Sequence, residues 1–145
     1  MKRADIYIST DSSSTRKLGK SYGFVMEFIY KGEPFTREGF GTTEATYNRA
    51  VLIAINEALE RFNRPCEIHI HSENSSLLTM IDKDFPKWKE NGYQTNKGKE
   101  IKNRDEWQRF SENSREHMIV TEKGAHSYGN WIKEQIEKIK RMEMW

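Results

Sequence analysis

A segment near the middle of the chain, residues 85–110, combines aromatic and basic side chains in a pattern suited to binding a negatively charged polymer. Phe85, Trp88 and Tyr93 lie among lysines, and the segment ends in DEWQRF, which is typical of a helix. Residues 83–104 contain seven basic and three acidic residues, a local charge of +4, whereas the whole chain carries +2. Positive charge on an aromatic-bearing element favours a nucleic-acid backbone as its target. A solvated helical hairpin with a few buried rings would have the same composition.

A His-x-His pair, His69 and His71, lies on one face of a predicted strand. Such a pair can contribute to a zinc site, but structural zinc needs further cysteine or histidine ligands. No cysteine or second histidine pair completes such a site. We therefore favour half-buried residues of a sheet.

Length and composition predict a single domain over residues 1–145, large enough to bury a core. Seventeen aromatic residues (seven Phe, six Tyr and four Trp) argue against disorder. The one cysteine excludes an internal disulfide and suits a reducing compartment. No apolar run approaches the roughly 20 residues of a membrane span, and the start lacks the apolar stretch of a signal peptide. We therefore expect a cytoplasmic monomer without membrane contact.

The hydrophobic periodicity predicts an alternating order of strands and helices. Strands are predicted over residues 5–10, 22–30 and 35–40, the second and third as an antiparallel hairpin. Val51, Ile55, Ala58, Leu59 and Phe62 predict a helix over residues 46–62. Two further strands (66–70 and 117–121) and helices over 75–81, the lysine-rich segment, 104–115 and 131–142 complete the pattern. This order predicts an α/β fold, a mixed sheet covered on both faces.

Several motifs occur in an order that resembles a known family. The lysine-rich segment reads W-K-x-x-G-Y-x-T-x-x-x-x-x-I-K-N-x-x-x-W, and it closely resembles the basic handle of type 1 ribonuclease H. Four further motifs follow the family's order: TDS after the first strand, GTTEATYNRAVLIAINEAL, IHIHSENSS and GAHSYGN. The resemblance covers about residues 5–139. It implies an RNase H-like fold, a five-stranded mixed sheet flanked by helices, with a basic handle at about residues 83–104.

The resemblance also implies a reaction. Proteins of this family cut the RNA strand of an RNA/DNA hybrid with two divalent ions, Mg²⁺ or Mn²⁺, held by four acidic residues. Asp11 matches the central bridging aspartate, and Glu73 takes the place of an aspartate after the fourth strand. In the last helix, alignment of the Gly-Asn pair places Glu134 at the acidic position. A register shifted by one residue would place Lys133 there, but Ile136 would then lose its match.

The fourth acidic position of the family falls on Asn48, which offers an oxygen but no charge. Glu57, nine residues later, should face the other side of the helix, whereas Glu44 could reach in from one turn before. Replacing a carboxylate by a neutral ligand should cost on the order of a few kcal/mol of ion binding at an effective dielectric near 20, which could reduce the site to one ion. His126 matches the family's loop histidine, in a loop about two residues shorter. An ordinary loop histidine is the alternative.

Binding residues can be assigned by the same resemblance. Short polar side chains can read the 2′-hydroxyls in the minor groove of a hybrid. Lysines of the handle could neutralise phosphates of the DNA strand, which predicts salt-dependent affinity. Trp88 and Trp107 could instead be packing residues. The candidates are Ser13, Ser14, Thr43 and Ser75 for the groove and Lys87, Trp88, Lys89, Lys97, Lys99 and Lys102 for the handle.

Two main hypotheses follow. The chain could be a ribonuclease H-type endonuclease whose cleavage of hybrids is weakened or altered by Asn48. It could instead be a catalytically inactive module that binds hybrids or another nucleic-acid duplex and keeps only the fold. A third reading is a domain that binds another partner.

Overall fold

The computed structural model describes residues 1–143. In this part of the chain, five strands and five α-helices are joined by short loops and one π-helical turn. No helix among these residues has the length and apolar character to cross a membrane. In chain order the elements are β1 (Lys2–Thr10), β2 (Leu18–Tyr30), β3 (Glu33–Ala45), α1 (Tyr47–Leu59), β4 (Cys66–Ser72), α2 (Ser75–Thr79), the π-helical turn (Met80–Asp84), α3 (Phe85–Glu90), α4 (Arg104–Ser114), β5 (Met118–Lys123) and α5 (Gly129–Glu143).

The strands form one sheet in the order β3-β2-β1-β4-β5. β2 pairs antiparallel with both β1 and β3, whereas β4 pairs parallel with β1 and with β5. The predicted α/β class, five-stranded mixed sheet and antiparallel hairpin are confirmed. Because β1 and β4 are parallel neighbours, their carboxyl ends meet at one edge of the sheet. Asp11 and Glu73, which follow these strands, are therefore placed close together.

One face of the sheet packs on α1. Alternate residues of β1 and β4 point to this face, as the period of two in a strand requires. Thr46 caps the start of α1, where its hydroxyl accepts a 3.3 Å hydrogen bond from the backbone N–H of Arg49. The buried core on this face includes Ile6, Ile8, Ile68, Ile70, Val51, Leu52, Ile55 and Leu59.

The other face packs on α5 through a smaller core. Ile132 and Ile136 of α5 lie against Tyr7 of β1 and Val25 of β2. Gly23 of β2 lies beneath this helix, where an added Cβ would be 2.7 Å from the Ile132 side chain and 2.7 Å from the Phe40 ring. The absence of a side chain at Gly23 therefore sets how closely α5 approaches the sheet.

Replacing Gly23 with alanine is expected to destabilise the fold by about 1–3 kcal/mol, because the added methyl group overpacks the α5 contact. Urea unfolding measures this change. Gly19→Ala in the same strand is the matched control, since no atom lies within 4 Å of a Cβ built there. Equal losses in the two variants would contradict the role assigned to Gly23.

The lysine-rich segment is less helical than its composition predicts. The helix ends at Glu90, and residues 91–103 form turns with one isolated bridge between Gln94 and Glu100. Gly92 and Gly98 adopt positive φ angles, as do Tyr93 (φ 62°) and Asn103 (φ 60°). A helix cannot continue through left-handed residues. The prediction of a helix over this whole segment is therefore wrong beyond Glu90.

The two histidines of β4 lie in a polar network on the α5 side of the sheet. His69 contacts Glu67 at 2.7 Å and Glu122 at 2.9 Å, and His71 contacts Asp5 at 2.8 Å. His69 is buried, with 8% of its surface exposed. The two histidines thus take carboxylate partners within the sheet, which supports the structural interpretation over a zinc site.

His69 should make stability depend on pH. Burial of the ring disfavours its charged form, but hydrogen bonds with Glu67 and Glu122 outweigh this and raise the pKa of His69. Its stabilising contribution is then fully present below about 6.5, the unfolded value, and is lost as pH rises through the folded pKa. Between about pH 5.5 and about pH 8.5, the free energy of unfolding in urea should fall more in the wild type than in His69→Gln. The same pH dependence in both proteins would refute this.

Candidate active site

The two carboxylates that follow β1 and β4 share one cavity, here called the strand-end cavity. Asp11 and Glu73 face it from the sheet edge, α1 supplies two side chains, and α5 supplies a lysine. Serines of the loop after β1 form part of its rim. It is lined by residues 8–13, Tyr47, Val51, Ser72, Glu73 and Lys133.

Asp11 is held on both carboxylate oxygens. Its Oδ1 accepts a 2.9 Å hydrogen bond from the backbone N–H of Ser21, and its Oδ2 accepts one of 2.5 Å from Lys140 Nζ. The Asp11 side chain is 16% exposed. The hydrogen bond to Asp11 raises the pKa of Lys140. The lysine is therefore positively charged at neutral pH and offsets the negative charge of Asp11.

Glu73 also has a lysine partner, in a looser arrangement. Lys133 Nζ lies 3.7 Å from Glu73 Oε1, and each side chain is 48% exposed. Such an exposed pair adds little to stability because water screens it. It nevertheless places a second positive charge at the strand-end cavity.

The rotation of α5 determines which of its residues reaches the cavity. Ile132 and Ile136 are buried against the sheet. At about 100° per residue, Glu134 lies about 180° from the midpoint of these two isoleucines, whereas Lys133 and Lys140 lie together on one flank. The structure thus places Lys133 at the cavity and leaves Glu134 exposed and outside it. Lys133 therefore stands where the family pattern has its acidic residue, as in the alternative alignment that is shifted by one residue.

Asn48 lies next to the strand-end cavity but does not line it. Its Oδ1 accepts a 2.9 Å hydrogen bond from Asn74 Nδ2, and Asn74 Oδ1 in turn caps α2 at Leu77. Asn48 is thus tied to the start of α2. Glu57 faces away, as expected, and accepts a 2.6 Å hydrogen bond from the Tyr22 hydroxyl. Neither residue adds a carboxylate to the cavity.

His126 packs against β1, the central strand of the sheet, and is not among the residues that line the strand-end cavity. Its Nε2 lies 2.8 Å from the Ile8 carbonyl oxygen and must therefore donate a hydrogen to it. Its Nδ1 is buried and has no hydrogen-bond partner among the described residues. Burial lowers the pKa of His126. The ring, 5.3 Å from Tyr7, is consequently a neutral packing group in this arrangement.

The short polar candidates are spread along the same edge. Ser13 lines the strand-end cavity. Thr43 lies, with Asp11, Glu44 and Lys140, in an adjoining groove against β2 and β3, here called the hairpin groove. The Ser14 hydroxyl accepts a hydrogen bond from Arg16, and Ser75 is exposed at the start of α2. Ser13 and Thr43 thus line two neighbouring depressions that share Asp11.

The handle consists of α3, the turns of residues 91–103 and the start of α4. Trp107 is 1% exposed and packs against Phe85 and Trp88, so it belongs to the core. Trp88 is half-buried and lines a cavity between the handle and α1, together with Trp107 and Asn48. Five handle lysines are exposed, and among residues 1–143 none of them forms a salt bridge: Lys87, Lys89, Lys97, Lys99 and Lys102. The handle is therefore an exposed positive surface anchored by buried rings.

Three lysines of this region were not predicted as site residues. Lys20 of β2 is 2% exposed and donates hydrogen bonds to the carbonyl oxygens of Arg16 (2.7 Å) and Ala45 (2.6 Å). It thereby ties the loop after β1 to the residue before the α1 cap. In the sequence, Lys133 is signalled only as the residue at the acidic position in the shifted register, and Lys140 only by its spacing of seven residues from Lys133, two turns of one helix face.

The ligand set of a two-ion site can be compared with these residues. Hard divalent ions need several carboxylate and water oxygens around each ion. Here Asp11 and Glu73 are each paired with a lysine, and Glu134 lies outside the cavity. No cluster of three or more His, Cys, Asp or Glu residues within positions 1–143 is arranged to hold a metal ion. The residues present therefore do not fit the two-ion site that the resemblance implies.

Comparison with known proteins identifies the family. The RNase H family model matches residues 3–136. Ribonuclease H of Caldicellulosiruptor saccharolyticus is 30% identical over 120 residues, which are 82% of this chain and 81% of that protein. Ribonuclease H of Chelativorans sp. is 33% identical over 120 residues, which are 82% of this chain and 71% of that protein.

Solved structures share the fold. The crystal structure of LC9-RNase H1, a type 1 RNase H with the type 2 active-site motif, matches with a TM-score of 0.75 at 14% identity, over 96% of this chain and 70% of that one. The solution structure of the PFV RNase H domain matches with a TM-score of 0.59 at 22% identity, over 93% and 90%. The resemblance to type 1 ribonuclease H is thus confirmed, and the chain belongs to the RNase H family.

Proposed function

We propose that this protein recognises RNA/DNA hybrids or a related nucleic-acid duplex, and that its cleavage of the RNA strand is weakened. The observation that carries the proposal is the strand-end cavity, in which Asp11 and Glu73 lie together. Relatives are named ribonuclease H and ribonuclease HI. A part of the foamy viral protease–reverse transcriptase, 18% of that chain, matches this fold with a TM-score of 0.65, and that protein was solved in complex with an RNA/DNA hybrid.

Binding is supported by two surfaces of different character. Ser13 and Thr43 present hydroxyl groups in neighbouring depressions, where they can exchange hydrogen bonds with 2′-hydroxyls in a wide minor groove. The handle presents five exposed lysines that can neutralise phosphates of the opposite strand. The two surfaces together favour a duplex in which one strand is RNA.

Weakened cleavage follows from the charges at the site. Two carboxylates line the strand-end cavity, and Asn48 adds no charge beside it. His126 has a lowered pKa and a buried Nδ1, so it is poorly placed to exchange a proton with a substrate. Asp11 is the residue on which any remaining cleavage would depend, because it lies at the junction of the strand-end cavity and the hairpin groove.

A second candidate function is a nucleic-acid-binding module that does not cut. The contact of 2.5 Å between Lys140 Nζ and Asp11 Oδ2 favours it, because this carboxylate is already paired within the protein. The two candidates make the same prediction for binding and opposite predictions for hydrolysis.

One assay tests both candidates. The pure protein is incubated with an RNA/DNA hybrid labelled on the RNA strand, in EDTA, Mg²⁺ and Mn²⁺, and binding is measured by fluorescence anisotropy in the same buffers. Slow cleavage that disappears in Asp11→Asn would support the weakened enzyme. Tight binding without cleavage would support the module. Absence of binding to hybrid, RNA duplex and DNA duplex at low salt would contradict both candidates and favour another kind of partner.

A further inference from the structure

We propose that Lys133 and Lys140 are resident counter-ions of the strand-end cavity, whose ammonium groups neutralise Glu73 and Asp11 so that the resting site is metal-free and takes a divalent ion only weakly. The metal-free resting site is argued from the geometry of these contacts. Its consequence, that nucleic acid binds without added metal, rests on the function proposed above.

The Asp11 pair is the tighter of the two. Both of its carboxylate oxygens are used, one by the backbone N–H of Ser21 and the other by Lys140 at 2.5 Å. The Asp11 side chain is only 16% exposed. A divalent ion could bind Asp11 only after displacing a charged hydrogen-bond donor from its carboxylate. Charge-assisted hydrogen bonds of this kind are among the stronger ones in proteins.

Glu73, the second carboxylate of the cavity, also has a lysine beside it. Lys133 Nζ lies 3.7 Å from Glu73 Oε1. Lys133 and Lys140 lie seven residues apart, which places them on one flank of α5. Ile132 and Ile136 fix that flank, because both are buried against the sheet. The position of both ammonium groups is therefore a property of how α5 docks.

The charge balance of the site explains the expected behaviour. The two cavity carboxylates and the two ammonium groups that face them sum to a formal charge of zero. Glu137 also lies 3.9 Å from Lys140, but its side chain is 64% exposed, so water screens its charge. A neutral cluster offers a divalent cation no net attraction, and it offers a phosphodiester no net repulsion. An RNA phosphate can therefore approach the cluster, where either lysine can exchange a carboxylate partner for a phosphate oxygen.

Calorimetric titration with MnCl₂ tests the proposal without nucleic acid. The wild type should show no saturable binding, whereas the double variant Lys133→Gln with Lys140→Gln should bind Mn²⁺ about tenfold or more tightly, because two like charges beside the carboxylates are gone. Lys138→Gln is the matched control, since Lys138 is exposed on α5 and has no carboxylate partner among the described residues. A saturable Mn²⁺ site in the wild type that Asp11→Asn removes would overturn the proposal. Unchanged Mn²⁺ binding in the double variant would overturn it as well.

Anisotropy with a labelled hybrid tests the consequence. At matched ionic strength, the dissociation constant of the wild type should be the same in EDTA and in MgCl₂. Binding that appears only with MgCl₂ would refute a metal-free site. Absence of hybrid binding in both buffers would instead contradict the proposed function, whereas the Mn²⁺ titration decides the counter-ion proposal by itself.

Discussion

Replacing the five exposed handle lysines with glutamine is expected to weaken hybrid binding by about 10²–10³-fold at low salt, because each lysine that contacts a phosphate releases a condensed counter-ion. The slope of the logarithm of the binding constant against the logarithm of salt concentration should become shallower by about 4.5, at about 0.9 for each of the lost contacts. Anisotropy titrations at several salt concentrations measure both quantities. The fold should tolerate the changes, since these side chains are exposed and form no salt bridge among residues 1–143. Of the five, Lys89 has an aromatic contact, with its Nζ 5.6 Å from the centre of the Phe85 ring.

The control for this prediction removes the same number of positive charges elsewhere. Substitution by glutamine at five basic positions distant from the carboxyl ends of β1 and β4 should leave the salt slope nearly unchanged. If the two five-fold variants lose affinity equally, binding depends on net charge and the handle has no special role. The control positions are Lys2, Lys31, Arg37, Arg64 and Arg115.

Restoring negative charge to the strand-end cavity is expected to raise cleavage of hybrids in Mn²⁺ by about 100-fold, which corresponds to about 2.7 kcal/mol at 1.36 kcal/mol per tenfold. The triple variant combines Asn48→Glu, Lys133→Asp and Lys140→Gln, and it changes the formal charge of the cluster from zero to −4. Tyr47 and Val51 of α1 already line the cavity, so a longer side chain at position 48 can extend into it.

This prediction has a direct control. The same triple variant with Asp11→Asn should lose the gained activity, because Asp11 joins the strand-end cavity to the hairpin groove. Mn²⁺ titration of the triple variant should show saturable binding whether or not hydrolysis follows. A folded triple variant that binds Mn²⁺ yet cleaves no faster than the wild type would show that charge is not what limits cleavage.

The sheet and its edge could be predicted from local patterns. Alternating apolar residues define β1 and β4, and polar residues end both strands, so the neighbouring positions of Asp11 and Glu73 follow once the strands are parallel. The burial of Trp107 follows from helical spacing in the same way. The strand ends and the burial of Trp107 depend on short-range periodicity, which can be recognised in a single sequence.

The rotation of the last helix could not be predicted in this way. Ile136 fits the apolar position of the family pattern, which favoured Glu134 as the acidic residue, yet Lys133 lines the cavity. The rotation depends on the contact between Ile132 and Gly23, two residues far apart in sequence. In the handle, Gly92, Gly98 and Asn103 are residue types that favour left-handed angles, but nothing in the sequence marked Tyr93, which also adopts one.

The docking of α5 has a consequence for how the protein responds to heat or mild denaturant. The same helix covers the smaller core and carries both lysines that balance Asp11 and Glu73. If the last turns of α5 fray before the sheet melts, as helix ends commonly do, Asp11 loses Lys140, whereas Lys133 in the first turns still faces Glu73. The nucleic-acid surface would then turn acidic and repel its ligand while most of the fold is still intact, so affinity should decline at a lower temperature than secondary structure.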